Sequence, residues 1–115
     1  MKYRGSCHCG KIAFEVEGSL EQVMECNCSL CSRRGYLLWF VPREQFKLST
    51  PESDLSTYRF NRMHIAHHFC ATCGCAPYGE ATDPKGKAMA AVNVRCLEDV
   101  PLDGLKVVKV DGKSF

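Results

Sequence analysis

The sequence has no run approaching the ~18 consecutive apolar residues that a membrane-spanning helix requires. It also lacks a low-complexity stretch, a linker and a periodic repeat, so nothing divides it into separate units. Net charge is in short supply. Lys and Arg exceed Asp and Glu by only +2, and there is no Lys/Arg stripe, which argues against nucleic acid or an anionic membrane surface as partner. No segment carries a long helical period; residues 20–24 offer at most a turn or two of helix. The opening Met1-Lys2-Tyr3-Arg4-Gly5 has no apolar core of the kind a signal peptide uses, so a reducing, cytoplasmic setting is expected.

What is abundant is cysteine. The 115 residues suit one domain, 1–115, and nine of them are Cys, an odd number that cannot pair off completely. In a reducing compartment stable disulfides are rare, and eight of the nine fall in three tight motifs. These are Cys7-His8-Cys9-Gly10, Cys26-Asn27-Cys28-Ser29-Leu30-Cys31 and Cys70-Ala71-Thr72-Cys73-Gly74-Cys75. Buried free thiols would not cluster in this way. Metal binding is the expectation, and a domain this small gains stability from a metal staple.

The rest of the chain reads as mainly β. Residues 11–17 alternate, with Ile12, Phe14 and Val16 on one face, as a half-buried strand does. Residues 36–41 form a short aromatic-rich apolar run closed by Pro42, which suits a buried strand. Further strands are expected at 55–60, 65–69, 88–94 and 105–110. Pro51, Asp83-Pro84-Lys85-Gly86, residues 101–104 and Asp111-Gly112 mark the turns between them. The expected architecture is mainly β, built of short strands, with metal sites in its loops.

The pair Cys70/Cys73 followed by Gly74 has zinc-knuckle spacing. Two intervening residues let both sulfurs face one ion, and Gly permits the turn that follows. With Cys7 and Cys9 it would complete a closed tetrathiolate. Cys26, Cys28 and Cys31 supply three thiolates within one short segment, and three protein ligands leave a fourth position for water or substrate. Three thiolates weaken zinc as a Lewis acid, so such a centre suits holding a substrate thiol as thiolate better than activating water. The competing reading is a structural site in which Cys75, His8, His64, His67 or His68 supplies a fourth ligand. Spacing does not decide between them.

These motifs, in the order CxCG, CxCxxC, FCxxCG, resemble the glutathione-dependent formaldehyde-activating enzymes, whose domain is shared with centromere protein V. The segments Val92-Asn93-Val94-Arg95-Cys96-Leu97-Glu98-Asp99 and Asp111-Gly112-Lys113-Ser114-Phe115 also resemble that family, so the likeness spans nearly the whole chain. The resemblance implies a tent-like β fold built around two Zn²⁺, similar to that of a nucleotide-exchange chaperone of Rab proteins. It assigns Cys7, Cys9, Cys70 and Cys73 to a structural zinc, and Cys26, Cys28 and Cys31 to a catalytic one. It further implies a carbon–sulfur lyase that adds glutathione to formaldehyde, yielding S-hydroxymethylglutathione. Two departures stand out: Asn27 replaces the His that many relatives carry, and Cys75 is an additional thiol.

Arg33 and Arg34 follow the three-cysteine cluster and could hold a substrate carboxylate. His67 and His68 would point to opposite faces of a strand, so at most one can face the site. Tyr36, Trp39 and Phe40 are candidates for a cleft wall or for core, and Cys96 for a buried free thiol. The alternative to an enzyme is a non-catalytic, zinc-stabilised protein-binding module.

Overall fold

The structure, a computed structural model, describes residues 1–59 and 65–111. Phe60 at the end of one expected strand, the candidate ligand His64 and the closing residues 112–115 lie outside the described residues. The fold is mainly β, in two sheets.

The smaller sheet has three strands. β1 (Lys2–Ser6) and β2 (Ala13–Glu17) pair antiparallel, and β2 then pairs antiparallel with β5 (Phe46–Leu48). The alternation read at 11–17 is what fixes β2: Ile12, Phe14 and Val16 are all buried, while Glu15 and Glu17 face outward. The loop between β1 and β2 carries the first CxC motif.

The larger sheet is formed by β3 (Gln22–Cys26), β4 (Leu38–Pro42), β6 (Leu55–Tyr58), β7 (Ala66–Cys70), β8 (Tyr78–Thr82), β9 (Ala88–Asn93) and β10 (Lys106–Val110). Their spatial order is β10-β3-β4-β9-β8-β7-β6. Pairing is antiparallel along the sheet except at one edge, where β10 lies parallel to β3. A helix, α1 (Ser29–Arg34), leaves β3 through the second cysteine motif.

Residues 20–24, which offer at most a turn or two of helix, instead lead into strand β3 from Gln22. Val23 points inward and is almost fully buried, its neighbours Gln22 and Met24 face the other way, and β4 and β10 pair on either side. A strand flanked on both sides satisfies its backbone groups better than an isolated helical turn would.

The core lies between the sheets. Phe14 stacks on Phe46 at 5.0 Å between ring centroids, and Phe46 meets Tyr78 of the larger sheet at 4.2 Å. Trp39 and Val41 point from β4 into the same cluster, and Phe40 between them is exposed. Each large side chain buried in this way contributes about 1.5–3 kcal/mol.

Candidate metal centres

The sulfurs of Cys7, Cys9, Cys70 and Cys73 all lie within 4.8 Å of one another. Two of these residues follow β1 and the other two sit at and after the end of β7, so the cluster fastens the smaller sheet to the larger one. Backbone amides aim at the sulfurs: Ile12 N–H donates to Cys7 Sγ at 3.3 Å and Cys73 N–H to Cys70 Sγ at 3.5 Å. At Gly74 the backbone is left-handed (φ 82°), which lets the chain turn back directly after Cys73. Zinc–sulfur bonds of about 2.3 Å in a tetrahedron set neighbouring sulfurs about 3.8 Å apart. Cys7 and Cys9 are separated by 3.8 Å and Cys9 and Cys70 by 3.6 Å, and all nine cysteines are free thiols. The donor set fits a tetrathiolate metal.

The sulfurs of Cys26, Cys28 and Cys31 likewise lie within 4.8 Å of one another. Cys26 ends β3. Cys28 is the N-cap of α1, its sulfur accepting from the Cys31 amide at 3.3 Å, and Cys31 sits one turn in. The Cys28 amide in turn donates to Cys26 Sγ at 3.5 Å. Gly35, left-handed at φ 68°, stops the helix and donates to the Cys31 carbonyl at 2.9 Å. The six-residue helix thus exists to arrange three sulfurs around one point.

The titration of the sulfurs shows strain among like charges. Cys73 is drawn down to about 5 by amides of Cys75 and Cys9, and the Cys73 amide leads the causes that lower Cys70. Cys9 receives a favourable amide from Lys11, yet lost hydration and the sulfurs of Cys70, Cys7 and Cys73 push it up to about 11. In the second cluster burial opposes ionisation of Cys28, but the Cys31 amide and the neighbouring thiols outweigh it and lower its pKa. Burial and the charges on Cys28 and Cys26 drive Cys31 strongly upward. Thiols this close cannot all ionise beside one another; a divalent cation among them removes the conflict.

Cys75 joins neither set of sulfurs. It packs with Cys7, Ile12 and Cys70 on the side of the first cluster, and its carbonyl accepts from the Cys70 amide at 2.9 Å. Exposed His8 belongs to neither set, nor do the two histidines of β7. Those two divide as a strand requires. His68 turns toward Thr57 (2.9 Å) and Glu80 (3.0 Å), whereas His67 lies parallel to the ring of Tyr36 at 6.5 Å. Tyr36 packs in turn with Cys31. Burial, then the charges of Arg34 and His68, hold His67 neutral with its pKa down at about 4.

A cleft of about 490 Å³ opens beside the second cluster, within the ~300–1,000 Å³ typical of small-molecule sites. Cys26, Cys31, Asn27 and Tyr36 line it, together with the cations Arg95 and Lys109. Arg33 and Arg34 do not. Arg33 folds back to the Ser29 carbonyl, and Arg34 lies over the rings of Tyr36 and Phe69 with a bond to the Tyr36 hydroxyl at 2.6 Å. Trp39 is core. Cys96 is half-buried in a 3₁₀ turn, and burial raises it to about 11. The sequence does not single out Arg95 or Lys109; the strand at 105–110 is legible, but its parallel pairing with β3, which brings Lys109 here, has no local signal.

A crystal structure of a Rhodobacter sphaeroides protein resembles this fold with a TM-score of 0.77. The two share 28% sequence identity over 91% of this chain and 99% of that one. The profile of the family described as glutathione-dependent formaldehyde-activating enzyme matches residues 2–109. With both cysteine clusters inside that span, the chain belongs to the glutathione-dependent formaldehyde-activating enzyme family.

Proposed function

We propose that this protein is a zinc-dependent carbon–sulfur lyase that joins the sulfhydryl of a small thiol, glutathione, to formaldehyde or a similarly small electrophile. In this reading Cys7, Cys9, Cys70 and Cys73 hold a structural zinc, and Cys26, Cys28 and Cys31 hold a catalytic one. The observation that carries the reading is that Cys26 and Cys31 belong both to the sulfur triad and to the wall of the cleft, while the additional thiol Cys75 packs against the other cluster.

Zinc held by three thiolates supplies a cation beside which a substrate sulfhydryl stays ionised near neutral pH. The chain does the rest. The Cys31 amide at Cys28 Sγ keeps that ligand ionised, and Gly35 holds the helix that presents Cys31. Tyr36 and Leu37 give the cleft an apolar wall that orients the thiol and keeps water from surrounding it. In the reaction the carbon–sulfur bond forms as the carbonyl π bond opens. The carbonyl oxygen then takes up one proton, matching the one the sulfhydryl released. No electron is gained or lost overall. The free thiols suit a reducing compartment such as the cytoplasm.

Because glutathione and formaldehyde combine without help, the test is exchange rate rather than yield. Exchange NMR on an equilibrated mixture should show faster interconversion of free and hydroxymethylated glutathione with the zinc-loaded protein. Cys28→Ala, still folded, should return the rate to background. A fully zinc-loaded wild-type protein that leaves the rate unchanged would remove the lyase reading and leave a metal-braced binding module.

A further inference from the structure

The cleft beside the sulfur triad is lined by charged side chains of both signs, and its two cations are geared to the triad through the backbone. Arg95 Nε donates to the Gly35 carbonyl at 3.0 Å, and the Gly35 amide donates to the Cys31 carbonyl at 2.9 Å. A single residue therefore separates the guanidinium from the helix that carries Cys31. Lys109 precedes Val110, which lies in parallel register with Cys26 and whose carbonyl accepts from the Asn27 amide at 3.1 Å. Each cation stands one backbone step from a cysteine of the triad.

Neither cation is spent elsewhere. Arg95 uses only Nε in its bond to Gly35, which leaves its two terminal nitrogens available, and neither Arg95 nor Lys109 takes part in an ion pair among the described residues. Of the two carboxylates on the same wall, Asp111 is engaged by Asn27 at 2.9 Å, and Glu25, in register with Lys109, makes no ion pair with it among the described residues. Three thiolates around one divalent ion leave a net negative centre, so an anionic ligand approaching it needs positive charge on its flank. A guanidinium held at Nε with its fork free is pre-organised for a carboxylate, and a nearby ammonium adds charge without geometric demand.

We propose that Arg95 and Lys109 form a carboxylate subsite, so that the thiol this cleft accepts is one bearing a carboxylate several bonds from its sulfur. The subsite rests on the lyase reading in one respect: the Cys26, Cys28, Cys31 cluster receives the sulfur end.

Calorimetric titration of the zinc-loaded protein with S-methylglutathione tests the subsite apart from turnover, because that ligand has no sulfhydryl to react. The wild-type protein should bind it, and Arg95→Ala and Lys109→Ala should each weaken binding about fivefold or more. The diethyl ester, with both carboxylates masked, should bind all three proteins alike and about tenfold or more weaker than the acid binds wild type. Lys109 is exposed on an edge strand, so its variant keeps the fold even if loss of the Gly35 bond disturbs Arg95→Ala. Equal binding by wild type and Lys109→Ala, equal binding of acid and ester, or no binding at all would each overturn the subsite. Carboxylate-dependent binding without accelerated exchange would keep the subsite and remove the lyase. Accelerated exchange that is indifferent to the ester would do the reverse.

Discussion

The carboxamide of Asn27 donates to the carboxylate of Asp111 at 2.9 Å, joining residues 84 positions apart. The same segments meet in the backbone, where the Asn27 amide reaches the Val110 carbonyl. The end of β10 thereby braces the loop between Cys26 and Cys28. Asp111→Ala should lower the metal affinity of the second cluster on the order of tenfold, as loss of an outer-sphere partner does. The first cluster should be unaffected. Competition with a chromogenic chelator resolves the two sites, and identical behaviour of both in the variant would disprove the brace.

The two clusters should answer differently to loss of a ligand. Metal analysis of the wild-type protein should give about two zinc per chain. Cys70, fully buried at the end of β7, ties the two sheets together, so Cys70→Ala should abolish the cooperative thermal transition. Cys28 caps a six-residue helix that follows the end of β3, outside the sheet, so Cys28→Ala should bind about one zinc and stay folded. Unfolding of both variants would erase the division of labour.

Acid should destabilise the protein in two stages. His67 is neutral in the fold, with a pKa lowered from 6.5 to about 4, so between those values the unfolded chain takes up a proton that the native one refuses. Stability falls with pH across that window. Glu80 behaves as a salt-bridged carboxylate. Burial alone would raise it, but hydrogen bonds from His68 and Arg43 set it below its ordinary 4.5, so its contribution is lost only below that value. A carboxylate can only accept, so His68 Nε2 is the donor to Glu80, and Thr57 meets the other ring nitrogen. Denaturant titrations at a series of pH values should show His67→Asn flattening the slope between 6.5 and 4. Glu80→Gln should leave the slope above 4.5 intact. Parallel profiles for all three proteins would contradict both assignments.

Phe14 is 1% exposed and stands between the sheets against Phe46 and Tyr78. Phe14→Ala should cost about 3–5 kcal/mol in urea unfolding with little change in slope. A loss below about 1 kcal/mol would mean that the aromatic stack can collapse around the gap.

Where a segment's own pattern carried its burial, the sequence could be read. Ile12, Phe14 and Val16 alternate because one face of β2 is core, and Trp39 and Val41 alternate with exposed Phe40 for the same reason. β3 could not be read. It has a single deeply buried residue, Val23, and its partners β4 and β10 come from later in the chain. Nor could α1, which is too short for a period and is set by the Cys28 cap and the Gly35 stop. The sequence places Arg33 and Arg34 beside the cysteines as carboxylate-binding candidates, but both turn to the helix and its neighbouring rings.

What the sequence determined unaided is local. The spacings Cys7/Cys9, Cys26/Cys28/Cys31 and Cys70/Cys73 bring sulfurs within reach of one another inside each motif, because a few residues of chain cannot carry them far apart. Which motif meets which was decided only by topology. Packing of the loop after β1 against the end of β7 delivered Cys7 and Cys9 to Cys70 and Cys73. The same packing kept Cys75 on that side, and the parallel pairing of β10 with β3 set Lys109 beside the other three thiols. Contacts across tens of residues depend on sheet order and register, and those are settled by the burial of the whole core rather than by any one segment.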